Sequence, residues 1–540
     1  MIKLYTLLKT LIVKPNKEYM QMDHPTSLQT YSGTKKTAGH EQKMPVGHPH
    51  ESIEFAMEHH MRSESNGMPH HKASGSMFTP GKGIMPHKVE ANDPERFFAK
   101  ENDDPLGKAF EGKIAVHPGM GGIPIMPNEK EVQLEKLAET ACNGRKLAYI
   151  HVPFCETHCL YCSFYQNAYR NEAGTAYTDI LIKELALWKD KAAQNGDPIH
   201  AVYLGGGTPS ALTPKDLGRL LQAVRTYLPL ANDCEITLEG RTANLTPERI
   251  EVVLENGVNR FSLGVQSFDT SIRRTMGRTL DSEGLFEKIK LLQSYKQASV
   301  VIDLIYGLPD QSMDVWQEDL RAARTLGLDG LDCYQLGVHK GSPLDKAIAK
   351  GKISPAADAP QMGRMFASSV QTLESAFYRR LSINHWGRTP RERNIYNHYT
   401  RGNSSCLGFG PGAGGNLNGY MTYNFRDYQR WSEVVGSGAK PVGMLLAPPP
   451  RAALRNALTE SLEQGYLDIP SLEAVCKRQE YDGLEEKGKL QTLVSPLLGQ
   501  WWKCGLLEPS DESFVLTVAG QYWYVNLTQL LIEYIDERLA

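Results

Sequence analysis

Residues 147–167 read LAYIHVPFCETHCLYCSFYQN, a strand-like apolar run followed directly by three cysteines within eight positions. Cys155, Cys159 and Cys162 have the spacing CxxxCxxC, and thiolates suit zinc, copper and iron–sulfur clusters. A closed zinc site needs four ligands, commonly as two separated pairs, and no second CxxC follows in the sequence. Three thiolates on one loop therefore favour a [4Fe-4S] cluster whose fourth iron binds an exchangeable ligand. Zinc and three unrelated cysteines are the alternatives.

The chain around this loop alternates between strand and helix patterns six times. Several of the helical stretches open with Thr-Pro, which is a favourable helix start. Such alternation predicts an α/β fold with a parallel sheet flanked by helices, either doubly wound or curled toward a barrel. The strand candidates are residues 147–152, 199–206, 235–240, 260–266, 299–307 and 330–336.

The polarity of the strands favours the barrel. In the third strand Glu235, Thr237 and Glu239 share one face, and in the fourth strand Ser262 and Gln266 do so. A sheet covered by helices on both faces would show nearly continuous apolar runs instead. One face is therefore predicted to line a polar chamber. In such barrels the chemistry lies at the carboxyl ends of the strands, which is where the cysteine loop falls.

Composition excludes several classes of function. The 540 residues are 41% hydrophobic and 22% charged, which is typical of a globular chain with more than one packed unit. A net charge of -3 gives no electrostatic footprint for nucleic acid or an anionic membrane. The nine cysteines are an odd number with three clustered, which argues against a secreted disulfide framework. We therefore predict a cytoplasmic protein without nucleic-acid or membrane partners.

Four regions differ in composition. Residues 1–90 are rich in His and Met with little periodic hydrophobicity, and they are predicted to be a largely disordered extension. Residues 91–142 are predicted to pack on the barrel, and residues 143–370 are predicted to form it. Residues 371–540 are predicted to form an accessory α+β domain, loop-rich at first and then built from helices and a short hairpin, like a winged helix.

Several motifs together resemble the radical S-adenosylmethionine (SAM) enzymes, in particular their coproporphyrinogen-oxidase-like branch (HemN/HemW). The resemblance spans roughly residues 143–540 and implies a partial (β/α)6 radical SAM barrel. It also implies a [4Fe-4S] cluster with SAM bound to the open iron. In the order of that branch, the motifs are YIHVPFC, YLGGGTPS, RFSLGVQSFD, MGR, DLIYGLP and LGFGPGAGG.

The resemblance implies roles for single residues. The three cysteines of the loop would bind the cluster, with Tyr161 as the aromatic residue before the last of them. A second SAM would be held by Gln266, Arg278 and Asp303, which are therefore the predicted catalytic residues. The first SAM would be contacted by Tyr149, Gly205, Gly206, Gly207, Thr208 and Glu239.

Three relatives within the branch have to be distinguished. Coproporphyrinogen oxidase carries a further cysteine two positions after the last cluster cysteine, where this chain has Phe164. The haem chaperone carries His-Asn-x-x-Tyr-Trp, where this chain has RNIYNH from Arg393 to His398. The anaerobic haem-degrading radical SAM methyltransferases (ChuW/HutW) share FYQN, DGLDCYQLGVHKGSPL and DPLGKAFEGKIAVHPGM with this chain. The chain most resembles the last family; the chaperone, and after it the oxidase, are the alternatives.

That resemblance implies anaerobic degradation of haem with two SAM molecules. One SAM yields a 5′-deoxyadenosyl radical, which takes hydrogen from the methyl group of the second. The resulting methylene radical adds to the macrocycle, opens it to a linear tetrapyrrole and frees iron. Haem is then the substrate, and an electron donor such as a flavodoxin with its reductase, or an NADPH-dependent system, is a partner. The protein supplies position and excludes water and oxygen.

Candidate haem contacts lie in the loop-rich part after residue 370. Four arginines are predicted to bind the propionates, with a solvated basic surface as the alternative: Arg388, Arg391, Arg393 and Arg401. His385 and His398 are candidate axial ligands, although a lone histidine is more often a structural residue. Ten of the sixteen histidines precede residue 120. They either gather haem or metal for the barrel or belong to a tail of biased composition.

Overall fold

The computed structural model describes residues 94–114, 118, 121–142, 144–402 and 404–539, so the predicted extension of residues 1–90 lies outside the described residues. All six predicted strands are present, five of them within one residue of their predicted bounds, and the third begins five residues earlier than predicted. They are β1 (Lys146–Val152), β2 (Ile199–Gly206), β3 (Leu230–Gly240), β4 (Arg260–Gln266), β5 (Ser299–Tyr306) and β6 (Gly330–Gln335).

Helices separate the strands, as the alternation predicts. Two of the Thr-Pro starts are true caps, because the hydroxyl of Thr213 accepts the amide of Asp216 and that of Thr246 accepts the amide of Arg249. The flanking helices are Asn171–Leu187, Pro214–Tyr227, Pro247–Glu255, Ser282–Ser294, Met313–Leu326 and Ala359–Ser375. Shorter helices are Ala192–Asn195, Thr270–Thr275 and Pro343–Ala349, with 3-10 turns at Pro209–Ala211 and Thr242–Asn244.

The six strands pair in chain order, and every pairing is parallel. The sheet does not end at β1, because β7 (Ser405–Phe409) pairs in parallel with its outer edge. Beyond β7 follow β8 (Gly414–Leu417), β9 (Tyr420–Asn424), β10 (Val442–Ala447) and the strand Ile123–Pro124, all antiparallel. At the other edge His385–Gly387 and Arg379–Arg380 follow β6 antiparallel. The partial (β/α)6 barrel is therefore confirmed, as the core of a sheet of 13 strands.

The two faces of the barrel differ as the strand polarity predicts. Residues such as Val202, Leu238 and Leu263 point to the helices and are fully or almost fully buried in the main apolar core. The opposite face carries polar side chains and is closed at the amino-terminal end by the helix Ile395–Thr400. Tyr396 of that helix stacks on Tyr203, with 4.7 Å between the ring centroids. The predicted polar chamber is therefore present, and residues after the barrel form its floor.

The last part of the chain is α+β, as predicted. A three-stranded antiparallel sheet contains the predicted hairpin, Leu507–Ser510 with Ser513–Leu516, and a third strand, Tyr466–Asp468. Trp501 and Trp523 are fully buried within this part. Its helices are Ala452–Glu463, Ile469–Arg478, Lys489–Lys503, Val518–Tyr522 and Tyr524–Arg538, and the helix Tyr428–Gly436 precedes them.

The segment before the barrel contacts both neighbouring regions. Its turn Pro94–Phe97 packs Phe97 on Tyr534, with 5.3 Å between the ring centroids, and its helix Pro105–Lys108 lies against the helix Ala359–Ser375. A further helix, Pro127–Ala138, follows the strand that pairs with β10. Within the described residues, no helix is both long and apolar enough to cross a membrane.

Candidate active site

The cysteine loop leaves the carboxyl end of β1 and folds back on itself. The two-residue strands Phe154–Cys155 and Asn167–Ala168 pair in parallel and close it. Within the loop the amide of Cys162 donates to the carbonyl of Cys159 at 3.0 Å. Cys155 and Cys159 are buried, whereas Cys162 is partly exposed. The three thiols therefore share one compact loop, as the spacing predicts.

Each of the three sulfurs accepts a hydrogen bond. Thr208 Oγ1 donates to Cys155 Sγ at 3.3 Å, Arg241 Nη2 to Cys159 Sγ at 3.1 Å, and the amide of Phe164 to Cys162 Sγ at 3.3 Å. Burial raises the pKa of the Cys155 and Cys162 thiols, and these donors oppose the rise. Thiolates are the form that binds iron, so donors aimed at sulfur suit a cluster-binding loop.

The loop offers the donors that a [4Fe-4S] cluster requires. Three cysteine thiolates suffice, because each is bonded to a different iron and the fourth iron can bind an exchangeable ligand. The cysteine loop therefore fits a [4Fe-4S] cluster.

The glycine motif at the end of β2 allows the cysteine loop to pack closely against this strand. A Cβ on Gly207 would lie 2.5 Å from the carbonyl oxygen of Phe154, and one on Gly206 would lie 2.7 Å from the ring of His151. Gly206 also has φ +104°, a backbone conformation that favours glycine. A Cβ on Gly205 would lie 2.9 Å from Glu239 Oε2. The motif thus lets β2, the cysteine loop and a carboxylate approach each other closely.

Behind the loop, two of the predicted first-SAM residues, Tyr149 and Glu239, each contact Tyr203. Tyr203 OH donates to Glu239 Oε1 at 2.7 Å, and the amide of Gly206 donates to Oε2 at 3.2 Å. Tyr149 OH lies 3.0 Å from Nδ1 of His151, and its ring stacks near Tyr203 at 6.4 Å. The predicted residues Tyr149 and Glu239 therefore lie on the chamber wall with Tyr203 between them.

The predicted catalytic residues Gln266 and Arg278 meet at the end of β4. Gln266 has φ 73° and sits at a bulge in the pairing of β4 with β5, and its buried Oε1 has no hydrogen-bond partner among the described residues. Such unusual backbone is typical of functional sites. Arg278 donates to the carbonyl of Gly264 at 3.1 Å and to Tyr161 OH at 2.9 Å. This places Gln266 and Arg278 beside the cysteine loop.

Asp303 and Glu239 give the chamber an acidic character that suits SAM. Both are partly buried, and neither forms an ion pair with another described residue. Burial raises the pKa of both, and that of Asp303 reaches about 7. SAM carries a sulfonium and an ammonium group, so it would supply the positive partners that these two carboxyls do not have among the described residues. The residues present therefore fit this cofactor.

The structure contradicts the predicted haem role of three arginines. The amide of Arg388 donates to the carbonyl of Asp329 at 2.7 Å. Arg391 and Arg393 donate to the carbonyls of Lys296 and Asp233, at 3.4 and 2.9 Å. These carbonyls lie at the amino-terminal ends of β6, β5 and β3. Amino-terminal ends of parallel strands share one edge, opposite the cysteine loop, so the three arginines cannot anchor a haem beside the cluster.

The axial-ligand prediction for His385 is also wrong. Nδ1 of this histidine lies 2.8 Å from Asp332 Oδ1 and Nε2 lies 3.0 Å from Glu392 Oε1, and the side chain is almost fully buried. With both nitrogens engaged, the ring offers no lone pair to iron. His398 and Arg401 line a separate cavity of about 240 Å³ under the chamber floor, where Arg401 pairs with Glu463 at 3.2 Å.

Sequence reasoning missed several residues that contact the predicted site. Arg241 bonds Cys159 and also the carbonyl of Thr157 at 2.6 Å, and it follows β3 two residues after Glu239. A cation directly after a strand of polar alternation was the available signal. His151 precedes the first cysteine by four positions, and the sequence did not indicate its hydrogen bond to Tyr149. No sequence pattern indicated that Tyr396 contacts the chamber, because its stacking on Tyr203 joins two segments that are far apart along the chain.

Comparisons with known proteins agree with this geometry. Residues 149–323 match the family model described as the radical SAM superfamily. The chain is 39% identical over 441 residues to the anaerobilin synthase of Escherichia coli O157:H7, covering 81% of this chain and 95% of that protein. It is 26% identical over 380 residues to the heme chaperone HemW of Bacillus subtilis, covering 70% of this chain and 96% of that protein.

A solved structure shares the fold. The radical SAM enzyme coproporphyrinogen III oxidase (HemN) from Escherichia coli aligns with a TM-score of 0.63 at 20% identity, over 74% of this chain and 93% of that chain. A six-stranded parallel barrel with a CxxxCxxC loop after its first strand defines a radical SAM enzyme. The chain belongs to the radical SAM superfamily and, within it, to the HemN-like family that contains anaerobilin synthase. Its cofactors are those of the superfamily, a [4Fe-4S] cluster and SAM.

Proposed function

We propose that this protein degrades haem without oxygen, as a radical SAM methyltransferase that opens the macrocycle to a linear tetrapyrrole and releases iron. The observation that carries the proposal is the 39% identity to an anaerobilin synthase over 95% of that protein's length. The match to a heme chaperone covers a similar share of its relative but at 26% identity. The first relative therefore supports an enzyme more strongly than the second supports a carrier.

The mouth of the barrel supports a flat apolar substrate. Phe164 follows the last cluster cysteine by two positions, and its side chain is 64% exposed. Val338, just after β6, is also exposed at the carboxyl-terminal edge. The amide of Leu344 bonds the carbonyl of Leu160 at 3.1 Å, which joins the segment after β6 to the cysteine loop. Exposed apolar side chains at a barrel mouth suit a macrocycle that stacks against them.

The residues of the chain take the following roles in this proposal. Cys155, Cys159 and Cys162 hold the cluster, and Arg241 and Thr208 stabilise their thiolates. When bound, the reduced cluster and SAM supply a 5′-deoxyadenosyl radical. Gln266, Arg278 and Asp303 hold a second SAM, whose methyl group is the carbon donor. The carboxyls of Glu239 and Asp303 neutralise bound cationic groups, and the floor around Tyr396 excludes water from below.

The proposal also includes the surroundings of the enzyme. An external electron donor, such as a flavodoxin with its reductase or an NADPH-dependent system, reduces the cluster. We place the protein in the cytoplasm, because three of its nine cysteines are clustered in the cluster loop and thiols persist in reducing compartments.

The test is anaerobic turnover of the reconstituted protein with Ti(III) citrate, SAM and haem. We expect the Soret band to disappear while 5′-deoxyadenosine and a methylated linear tetrapyrrole accumulate, both measured by mass spectrometry. Cys159→Ala should abolish all three signals, because it removes a cluster ligand. Cys504→Ala is the matched control; this thiol lies in the C-terminal part, against the carbonyl of Ala99, and its loss should leave turnover intact.

One outcome would support the chaperone instead. If SAM is cleaved but haem stays bound with its Soret band unchanged, the protein carries haem and does not degrade it. Loss of a carboxyl group from coproporphyrinogen, tested in a parallel assay, would support the oxidase. Neither result would change the assignment of the cluster loop, which C159A tests separately by iron content.

A further inference from the structure

Three side chains outside the predicted SAM and cluster sites form a buried triad below Asp303. His385 lies between Asp332, at 2.8 Å, and Glu392, at 3.0 Å. Glu392 is held in turn by Arg260, whose Nε is 3.1 Å from both carboxylate oxygens, and by Ser299 Oγ, which donates at 2.9 Å. Asp332 is 3% exposed, His385 1% and Glu392 0%. Charges this deeply buried require close partners, and the triad supplies them.

Backbone pairing fixes the triad in place. The strand His385–Gly387 pairs with β6 so that His385 lies opposite Asp332. A Cβ on Gly330 would lie 2.7 Å from the carbonyl oxygen of Trp386 and 2.9 Å from Cγ of Glu392. The two backbones are thus packed too closely for a side chain between them. His385 reaches Asp332 because of this pairing, from outside the six barrel strands.

Asp332 is the direct neighbour of Asp303. The register of β5 and β6 places these two aspartates side by side on the inner face of the barrel. Ser262 Oγ donates to Asp303 at 3.3 Å. Burial and the like charge of Asp332 together raise the pKa of Asp303 to about 7. The other titratable or charged groups that act on Asp303 or are acted on by it are Tyr203, Glu239, Arg260 and Tyr334.

The cations of this region are already matched to other carboxylates. Arg260 forms an ion pair with Glu392, and His385 forms one with Asp332. Burial favours a neutral imidazole, but the carboxylates of Asp332 and Glu392 outweigh it and raise the pKa of His385 to about 9. His385 is therefore cationic at neutral pH, and the charge of Asp332 beside it acts on Asp303. Asp303 has a negative neighbour and no cation of its own among the described residues.

We propose that the Glu392, His385 and Asp332 triad is a positioning element that holds the Asp332 carboxylate against Asp303, so that Asp303 holds a proton in the free protein and releases it when cationic SAM enters. The O–H bond of the Asp303 carboxyl breaks, the proton goes to solvent, and the positive charge of SAM replaces it. No redox change is involved. The inference rests on SAM binding beside Asp303, and it does not require haem to be the substrate.

The test counts protons released on SAM binding to the cluster-loaded, unreduced protein. Anaerobic calorimetry in pairs of buffers with different ionisation enthalpies gives this number. At pH 6 a carboxyl with a pKa of about 7 is about nine-tenths protonated, so the wild type should release close to one proton more per SAM than Asp303→Asn. At pH 8.5 the two proteins should release equal numbers. Subtracting the value for Asp303→Asn from that for the wild type cancels any proton that SAM itself releases on binding.

Two variants test the triad. Asp332→Asn removes the like charge and lowers the pKa of Asp303, whereas burial still raises it, so the extra proton release at pH 6 should decrease. His385→Asn lets Asp332 take the proton and leaves Asp303 ionised, so it should have the same effect. The matched control is Asp536→Asn, since Asp536 pairs with Arg451 and Arg455 in the C-terminal part. It should keep the extra proton.

The outcomes are distinct. Equal proton release by the wild type and Asp303→Asn at pH 6 would overturn the inference, and so would an unchanged extra proton in both triad variants. Where Asp303→Asn binds SAM too weakly to measure, the wild type compared with His385→Asn decides. Iron content and the unfolding midpoint show whether each variant folds. Because no haem or reductant is present, these results are independent of the turnover assay.

Discussion

At the scale of single residues, Gly207 shows most clearly why the cluster loop has its sequence. Its Cβ position lies 2.5 Å from the carbonyl oxygen of Phe154 and 2.9 Å from the amide nitrogen of the same residue. Both contacts are with backbone, which cannot rotate away as a side chain can. A substituent there must push the cysteine loop away from β2.

We therefore expect Gly207→Ala to lower cluster occupancy and to destabilise the fold by about 1–3 kcal/mol. The measurements are iron and sulfide per chain after reconstitution and the free energy of unfolding in urea. Gly499→Ala is the matched control. This glycine lies inside the helix Lys489–Lys503 with no neighbour within 4 Å of a built Cβ, so alanine should stabilise the protein by about 0.5–1 kcal/mol. Full iron content in Gly207→Ala would show that the loop can move aside.

What could be predicted residue by residue depended on distance along the chain. The cluster cysteines lie within eight positions, so their spacing was visible directly. Glu239 could be predicted from the alternation of β3 and the family motif. His385 was a candidate haem ligand with a structural role as the alternative, and the sequence could not decide between them. Its partner Asp332 lies 53 positions earlier, and no local pattern indicates that pairing. Residues joined by tertiary contacts alone stay outside the reach of a single sequence.

At the scale of elements, Glu184 joins the first barrel helix to the glycine-rich turn after β7. Glu184 is fully buried, and it accepts the amide of Gly410 and the indole N–H of Trp431, both at 2.8 Å. Asn424 Nδ2 donates to it at 3.0 Å, and Lys440 Nζ lies 3.8 Å away. One carboxylate thus holds four separate segments.

Glu184→Gln keeps the shape of this side chain but removes its charge. Lys440 is only 5% exposed, and burial lowers its pKa to about 8 although Glu184 opposes the fall, so without Glu184 the amine would be neutral and lack its partner. We therefore expect a loss of about 1–3 kcal/mol in the free energy of unfolding. The measurement is urea unfolding followed by circular dichroism.

A double-mutant cycle separates the ion pair from the hydrogen bonds. Glu184→Gln with Lys440→Met should be less destabilised than the sum of the single variants by more than about 1 kcal/mol. If the single effects simply add, the hydrogen bonds to Gly410 and Trp431 carry the stability, and the charge of Lys440 does not.

The strands of the barrel could be predicted because their polarity and length are local properties. The seventh strand, β7, was not predicted, since its sequence SCLGF leads into a glycine-rich stretch that is typical of loops. The glycines have a packing reason that appears only in the sheet. A Cβ on Gly415 would lie 2.7 Å from the carbonyl oxygen of Cys406, and one on Gly410 would lie 2.4 Å from that of His151. They permit close strand contacts and do not mark disorder.

At the scale of the whole molecule, the sheet crosses the boundary predicted near residue 370. The outer edge of β1 is covered by β7, and Asp332 on β6 is neutralised by His385 from beyond that boundary. Arg260 on β4 likewise has its carboxylate partner at Glu392. A fragment of residues 143–370 would therefore expose a strand edge and leave buried charges without partners.

We expect residues 143–370 alone to show no cooperative thermal unfolding and to aggregate. Residues 121–447 contain all 13 strands of the sheet and should unfold cooperatively. Both fragments contain the same cysteine loop and the same six barrel strands, so cluster chemistry does not distinguish them. Circular dichroism melting and size-exclusion chromatography are the measurements. A monomeric 143–370 fragment with a sharp transition would mean that the six strands fold independently and that the partners after residue 370 serve the chamber alone. Aggregation of both fragments would instead show that the helices after residue 447, packed against the segment 94–114, are part of the same cooperative unit.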